Sequence, residues 1–290
     1  MKPEQAWIEI NGTCLHVVQA GPEEGPLVIL LHGFPEFWFG WRHQLPALAA
    51  AGYRVWAPDQ RGYNLSAKPA SLNAYSVETL ARDVVGLIDA AGRDRAFLVG
   101  HDWGASIAWW VATRYPDQID RMVVINVPHW AIFREHMRRN VRQVLRSWYI
   151  LFFQIPWLPE AFARLGDWAM PARALRQSSL PGTFTDADLD EYRKAWSQPG
   201  AYTAMLNWYR AVVQKPPAFP VDPRITVPTL LIWGAKDPFL GSEMARPSIE
   251  LCDQGRLVFL EGATHWVQHE KASEVNELIV RFFRRAADRE

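Results

Sequence analysis

Gly100-His101-Asp102-Trp103-Gly104 is the stretch on which the reading of this chain turns. It follows the apolar run 96–99, which reads as a buried strand, and it opens a helical pattern that runs towards Tyr115-Pro116. A strand that passes straight into a helix needs a strained turn with small neighbours, because the turn must approach the next element closely. Working outward, short apolar runs alternate with helical stretches. Residues 15–19, 27–31 and 53–57 read as strands, with the turn formers Gly21-Pro22 and Gly25-Pro26 between the first two. Residues 76–91 read as an amphipathic helix with Ser76 as N-cap and Leu80, Val84 and Leu87 at helical spacing. Residues 121–127 form the next strand. Strands separated by helices imply a parallel sheet covered on both faces, which binds ligands at the carboxyl ends of its strands.

Composition narrows the class of protein. The 290 residues are 49% hydrophobic and 21% charged, enough apolar material for one large domain or about two ordinary ones, and far from a disordered chain. Lys+Arg and Asp+Glu number 31 each, so no global positive field exists to hold nucleic acid or an anionic membrane surface. Cys14 and Cys252 cannot build a disulfide scaffold, which fits a reducing compartment. Met1-Lys2-Pro3-Glu4-Gln5 lacks the basic-then-apolar order of a signal peptide. The apolar runs at 27–31 and 148–153 fall short of the ~18 residues of a membrane helix. A soluble, cytoplasmic protein is expected.

From 128 to 224 the alternation gives way to helices alone. One is expected to carry Met137, Val141, Val144 and Trp148 on one face; another starts at Thr185-Asp186-Ala187-Asp188, close to a capping box. A third carries Tyr202, Met205, Leu206, Tyr209 and Val213, and Pro199-Gly200 and Pro216-Pro217 interrupt the chain. Strands at 228–234 and 257–260 and a helix at 272–283 resume the α/β rhythm. The expected architecture is an α/β core from 1–127 and 225–290, with 128–224 inserted as an all-helical cap over the site.

Three motifs carry chemistry. The first has the G-x-x-x-G frame of a nucleophile elbow, with Asp102 where serine usually stands. A lone Asp at a strand-to-helix junction usually just caps the helix, so the other two motifs matter. His32-Gly33-Phe34-Pro35 follows the strand at 27–31, where hydrolases of this architecture place one backbone N–H of an oxyanion hole. The donors would be Phe34 and Trp103, although a Gly-Pro turn alone is commonplace. Asp237, in Trp233-Gly234-Ala235-Lys236-Asp237, and His265, in Gly262-Ala263-Thr264-His265-Trp266, each follow a strand. The order Asp102, Asp237, His265 is nucleophile, acid, histidine, with His265 as base and Asp237 fixing its tautomer. Asn126, at the end of the preceding strand, offers no carboxylate. The seven other histidines are taken as structural or surface residues.

These segments together resemble the α/β-hydrolases and, within them, the epoxide hydrolases. The resemblance rests on His32-Gly33-Phe34-Pro35-Glu36, Trp41-Arg42, Arg61-Gly62-Tyr63-Asn64-Leu65-Ser66 and the elbow itself. It continues through the helical insert, in Trp148-Tyr149 with Phe153-Gln154-Ile155-Pro156, and in Asn207-Trp208-Tyr209-Arg210. It spans nearly the whole chain, with the ends and the middle of the insert uninformative. It implies an α/β-hydrolase fold with a cap, and hydrolysis of an epoxide to a vicinal diol without metal or organic cofactor. It also implies that Tyr149 and Tyr209 are the two cap tyrosines; on spacing alone Tyr209 would be cap core.

The residue types suit that reaction. An ionised carboxylate needs no base to attack an sp³ carbon. The resulting Asp102 ester would be hydrolysed by water activated by His265, with the Phe34 and Trp103 N–H groups on the developing oxyanion. Tyr149 and Tyr209 would serve the leaving alkoxide. Trp103, Phe34 and Pro35 would contact an apolar substrate, and most of the six tryptophans between 128 and 224 would pack the cap. Substrate and water are the expected partners, with no nucleic acid and no membrane, and a homodimer is allowed. The nearest alternative is a haloalkane dehalogenase using the same Asp, His and Asp, for which paired cap tyrosines are of little use. A fluoroacetate-type dehalogenase would want arginine where Trp103 stands, and an esterase would want serine at the elbow. Outside enzymes, a hydrolase-fold ligand receptor would not need the apparent triad.

Overall fold

The computed structural model describes residues 3–220 and 222–284. Eight strands form one sheet: β1 (Glu4–Ile10), β2 (Thr13–Ala20), β3 (Leu27–Leu31), β4 (Arg54–Pro58), β5 (Ala96–His101), β6 (Ile119–Ile125), β7 (Thr229–Gly234) and β8 (Gly255–Leu260). The spatial order is β1-β2-β4-β3-β5-β6-β7-β8. β2 runs antiparallel to β1 and β4, and the other neighbours are parallel. The chain belongs to the α/β class that alternation of strand and helix predicts. β1 is an addition: its mostly exposed residues at the sheet edge carry none of the apolar density that marks β3, β5 and β7, which are buried throughout.

Helices cover both faces, as parallel sheets require. α1 (Gln44–Ala50) packs on one face, and α2 (Val77–Ala90) and α3 (Trp103–Arg114) on the other. Ser76 caps α2 by accepting from the Thr79 N–H at 3.2 Å, an interaction worth about 1 kcal/mol in such a position. After β7 come α10 (Ala245–Ile249), α11 (Val267–Glu270) and α12 (Ala272–Arg284), whose Val275, Ile279 and Phe283 join Leu45 and Leu48 of α1 under the sheet. No helix of the described residues is long and apolar enough to cross a membrane.

Between β6 and β7 the described chain contains helices only: α4 (Trp130–Arg139), α5 (Val141–Arg146), α6 (Trp148–Phe152), α7 (Leu158–Ser178), α8 (Asp186–Trp196) and α9 (Ala201–Gln214). α8 has the full capping box, with Thr185 and Asp188 satisfying each other's backbone N–H groups. The single helix expected to carry Met137, Val141, Val144 and Trp148 is in fact three. It breaks at Asn140, whose side chain caps α5, and again at Ser147. Val141, Val144 and Trp148 accordingly face solvent. α7, interrupted at 165–168, has no clear sequence signature. Trp168, Trp196 and Trp208 are buried as expected, whereas Trp148 and Trp157 are exposed.

This helical segment is pinned above the carboxyl ends of the strands. Trp196 Nε1 donates to the Pro35 carbonyl at 2.6 Å and Trp208 Nε1 to that of Arg61 at 2.9 Å. Gln143 Nε2 donates to the Phe239 carbonyl at 2.9 Å. Each bond joins a buried polar group to a backbone acceptor that would otherwise lack a partner.

Candidate active site

Asp102 sits at the turn from β5 into α3 with φ 49° and ψ −122°, a backbone conformation costly for any residue but glycine. The glycines make the turn sterically feasible. A Cβ on Gly104 would lie 2.0 Å from the Leu31 carbonyl oxygen, and one on Gly33 would lie 2.3 Å from Asp102 Cβ. Because Gly33 has no side chain, the loop after β3 reaches the carboxylate, and Phe34 N–H donates to Asp102 Oδ1 at 2.7 Å. Trp103 opens α3, so its N–H belongs to the first-turn donors that a helix leaves without an internal acceptor.

His265 arrives from the loop after β8 and Asp237 from the loop after β7. His265 Nδ1 lies 2.7 Å from Asp237 Oδ2, and Nε2 lies 3.6 Å from Asp102 Oδ2. Both side chains are buried, while Asp102 retains 19% exposure to the cavity. Asp237 Oδ1 accepts from the N–H groups of Phe239 and Leu240 at 2.7 and 2.9 Å. Burial works against a charged imidazole, but the Asp237 and Asp102 carboxylates outweigh it and raise His265 to about 10. Asp102 is shifted down: burial opposes its charge, and His265 more than compensates.

Across the cavity stand Tyr149 of α6 and Tyr209 of α9, ring centroids 6.0 Å apart. Burial and the Asp102 charge push both phenols up, so they remain protonated donors at neutral pH. Two cavity arms meet at Asp102, Tyr149 and Tyr209. One, of about 480 Å³, is lined by Phe34, Pro35, Phe152, Phe153 and Trp266; the other, of about 620 Å³, by Trp103, Trp130, Phe133, Val212 and Phe219. The structure thus brings Asp102, Asp237, His265, Tyr149, Tyr209, Phe34, Pro35 and Trp103 to one place. Tyr202 also lines the first arm, whereas Tyr192 does not.

Several positioning residues escape a reading by motif. Asn126, at φ 56°, donates to Asp237 Oδ2 at 2.7 Å and accepts from Gly234 N–H at 2.8 Å, so the residue without a carboxylate orients the carboxylate. Arg210 donates to the carbonyls of Phe153 and Ile155 at 2.9 and 3.0 Å and pairs with buried Glu160 at 2.8 Å. It ties the Tyr149 segment to the Tyr209 helix. Beneath the elbow, buried Glu36 accepts from Tyr192 and His269 at 2.8 and 2.7 Å. Burial works against its charge, yet His269 and His101 beside it hold the carboxyl well below the usual range. His101 Nε2 in turn donates to the His265 carbonyl at 2.9 Å. The signal available in sequence was the Asn at a strand end and the polar residues flanking each motif.

Residues 26–272 match the family described as alpha/beta hydrolase fold. The chain is 43% identical to the AB hydrolase superfamily protein YfhM of Bacillus subtilis, over 96% of this chain and 97% of that one. It is 38% identical to human Epoxide hydrolase 4, over 96% of this chain and 77% of the relative. The crystal structure of Epoxide Hydrolase A from Mycobacterium thermoresistibile superposes with a TM-score of 0.83 at 35% identity, covering 98% of both chains. With the fold, the site and these similarities in agreement, the chain belongs to the α/β-hydrolases and, among them, to the epoxide hydrolase family.

Proposed function

We propose that this enzyme hydrolyses an epoxide to a vicinal diol through a covalent ester on Asp102, with residues 128–224 acting as the cap over the core formed by 1–127 and 225–290. The observation that carries the reading is the placement of two phenols, buried Tyr209 and partly buried Tyr149, in one cavity with a carboxylate already ionised. A departing halide needs no proton, so paired phenols are of little use to it, whereas an epoxide oxygen leaves as an alkoxide and takes up a proton.

The two carboxylate oxygens have different roles. Oδ1 is held by Phe34 N–H, so Oδ2 attacks the ring carbon, and the epoxide C–O bond breaks. The alkoxide takes a proton from Tyr149 or Tyr209, and the phenolate is restored by the proton that His265 holds while Asp102 is charged and yields once Asp102 is a neutral ester. Oδ1 is then the ester carbonyl oxygen, already seated on its donor. Water attacks the ester carbon, His265 takes the water's proton, and the negative charge develops on Oδ1, against Phe34 and Trp103 N–H. Collapse releases the diol with the former Oδ2, which takes its proton from His265. The Asp102 acid left behind gives the water's second proton to His265, restoring the carboxylate, now with one water oxygen, and the imidazolium. Trp103, Phe34 and Pro35 line the apolar surroundings that exclude bulk water and favour an apolar epoxide. The test is a single turnover in ¹⁸O-labelled water: the first diol should carry unlabelled oxygen from Asp102. Label in the first-turnover diol would refute the covalent step.

A further inference from the structure

The break of the expected helix into α4, α5 and α6 leaves its apolar side chains in solvent. Val141, Leu145, Trp148 and Leu151 are 73, 68, 62 and 68% exposed. Phe152 continues the set: its ring lies 6.0 Å from Trp148 and 6.4 Å from Phe162 of α7, where Leu165 and Met170 are exposed as well. Scattered exposed apolar residues are normal on any surface, but a contiguous patch of this kind marks an interaction site. It is also continuous with the first cavity arm, whose mouth includes Leu145, Arg146, Trp148 and Met170.

The charge around the patch is one-sided. Residues 134–176 contain eight arginines and three carboxylates, although the chain as a whole sums to zero. One of the three, Glu160, is already neutralised by Arg210. Arg142, Arg146 and Arg164 form no ion pair among the described residues. Balanced net charge therefore hides a local basic face.

We infer that this face docks on an anionic lipid bilayer, with Trp148, Leu151 and their apolar neighbours at the headgroup–acyl boundary and the arginines at lipid phosphates. Exposed tryptophan and leucine bordered by arginine is the chemistry of segments that lie in a membrane interface without crossing it. A second copy of the chain fits less well, since a two-fold contact would set these arginines against their own equivalents. Docking would open the first arm towards the lipid, where an apolar epoxide dissolves. That consequence rests on the epoxide reading; the docking itself does not.

The experiment is flotation of the full chain with vesicles of phosphatidylcholine alone and of phosphatidylcholine mixed with phosphatidylglycerol. The wild-type chain should float with the anionic vesicles, and added salt should release it. Leu151→Asp and the double change Arg142→Glu/Arg164→Glu should each weaken partition about tenfold or more. None of these residues lines the catalytic cavity, so turnover of a water-soluble epoxide should be unchanged, which checks that the variants are folded. Wild-type chain that stays off anionic vesicles at low salt, or variants that partition as well as wild type, would overturn the inference. So would dimerisation in sedimentation velocity that Leu151→Asp abolishes, with no vesicle binding. Flotation does not read turnover, so failure of the docking and failure of the epoxide chemistry are told apart.

Discussion

His265 Nε2 stands 3.6 Å from Asp102 Oδ2, beyond hydrogen-bond distance and within reach of a charge. While Asp102 is a carboxylate, the ring lies between two anions and is held as a cation. In the proposed reaction, alkylation turns Asp102 into a neutral ester and removes one of those anions. The imidazole then loses part of what raised it to about 10, passes its proton to the phenolate that epoxide opening leaves, and becomes a base at the step that requires one. The order of the two half-reactions follows from this electrostatic change.

His265→Gln should therefore alkylate and then stall. Intact-mass spectrometry should show enzyme plus one substrate, with turnover reduced by about 10²–10⁴-fold, the usual contribution of a general base. A folded variant that shows neither a burst nor an adduct would contradict this order.

The same shift has a signature in stability. His265 is raised from 6.5 to about 10 in the folded protein, so the folded state holds a proton that the unfolded state has released between those values. Its stabilisation is fully present below about pH 6.5 and is lost as pH rises through 10, with a slope of up to about 1.4 kcal/mol per pH unit. Urea denaturation from pH 6 to 10 should show a decline that is shallower in His265→Gln. Parallel curves would mean that the imidazole is not the titrating group.

Arg210 should matter to both stability and chemistry. Arg210→Ala would leave Glu160 buried without its partner, a change that typically costs about 3–5 kcal/mol. It would also free the carbonyls of Phe153 and Ile155, loosening the Tyr149 segment from α9. Arg210→Met/Glu160→Met should recover most of the melting temperature without restoring the alkylation rate, because the backbone bonds remain lost. Recovery of both would assign Arg210 a packing role alone.

The core was legible in the sequence because its signals are local. The apolar runs of β3, β5 and β7 are buried on both sides, and each site loop directly follows a strand, so Asp102, Asp237 and His265 could be placed by order alone. β1 was invisible because an exposed edge strand needs no apolar run. The helix expected through Val141 and Trp148 failed for a related reason: helical spacing does not say whether a stripe has anything to pack against. Asn126, Arg210 and Glu36 act through partners more than 45 residues away, contacts that no window of sequence contains.

Tyr149 and Tyr209 allow the most discriminating test of the epoxide reading. Both line the two cavity arms together with Asp102, and in the proposed reaction either hydroxyl serves the oxygen that leaves opposite the nucleophile. Tyr→Phe removes the hydroxyl and keeps the ring, which preserves the edge-to-face contacts of Tyr209 with Phe34 at 5.3 Å and Trp103 at 5.0 Å. Each single variant retains one donor and should slow alkylation moderately. The double variant leaves the alkoxide unassisted and should lose about 10²–10⁴-fold, or roughly 3–5 kcal/mol of barrier. Breakdown of a preformed Asp102 ester should change little, since the phenols act on an oxygen that has already left the ring. Pre-steady-state burst kinetics separates the two steps. A double variant that alkylates an epoxide at the wild-type rate would return both residues to the packing of the cap, and release of halide from a haloalkane would then become the reaction to measure.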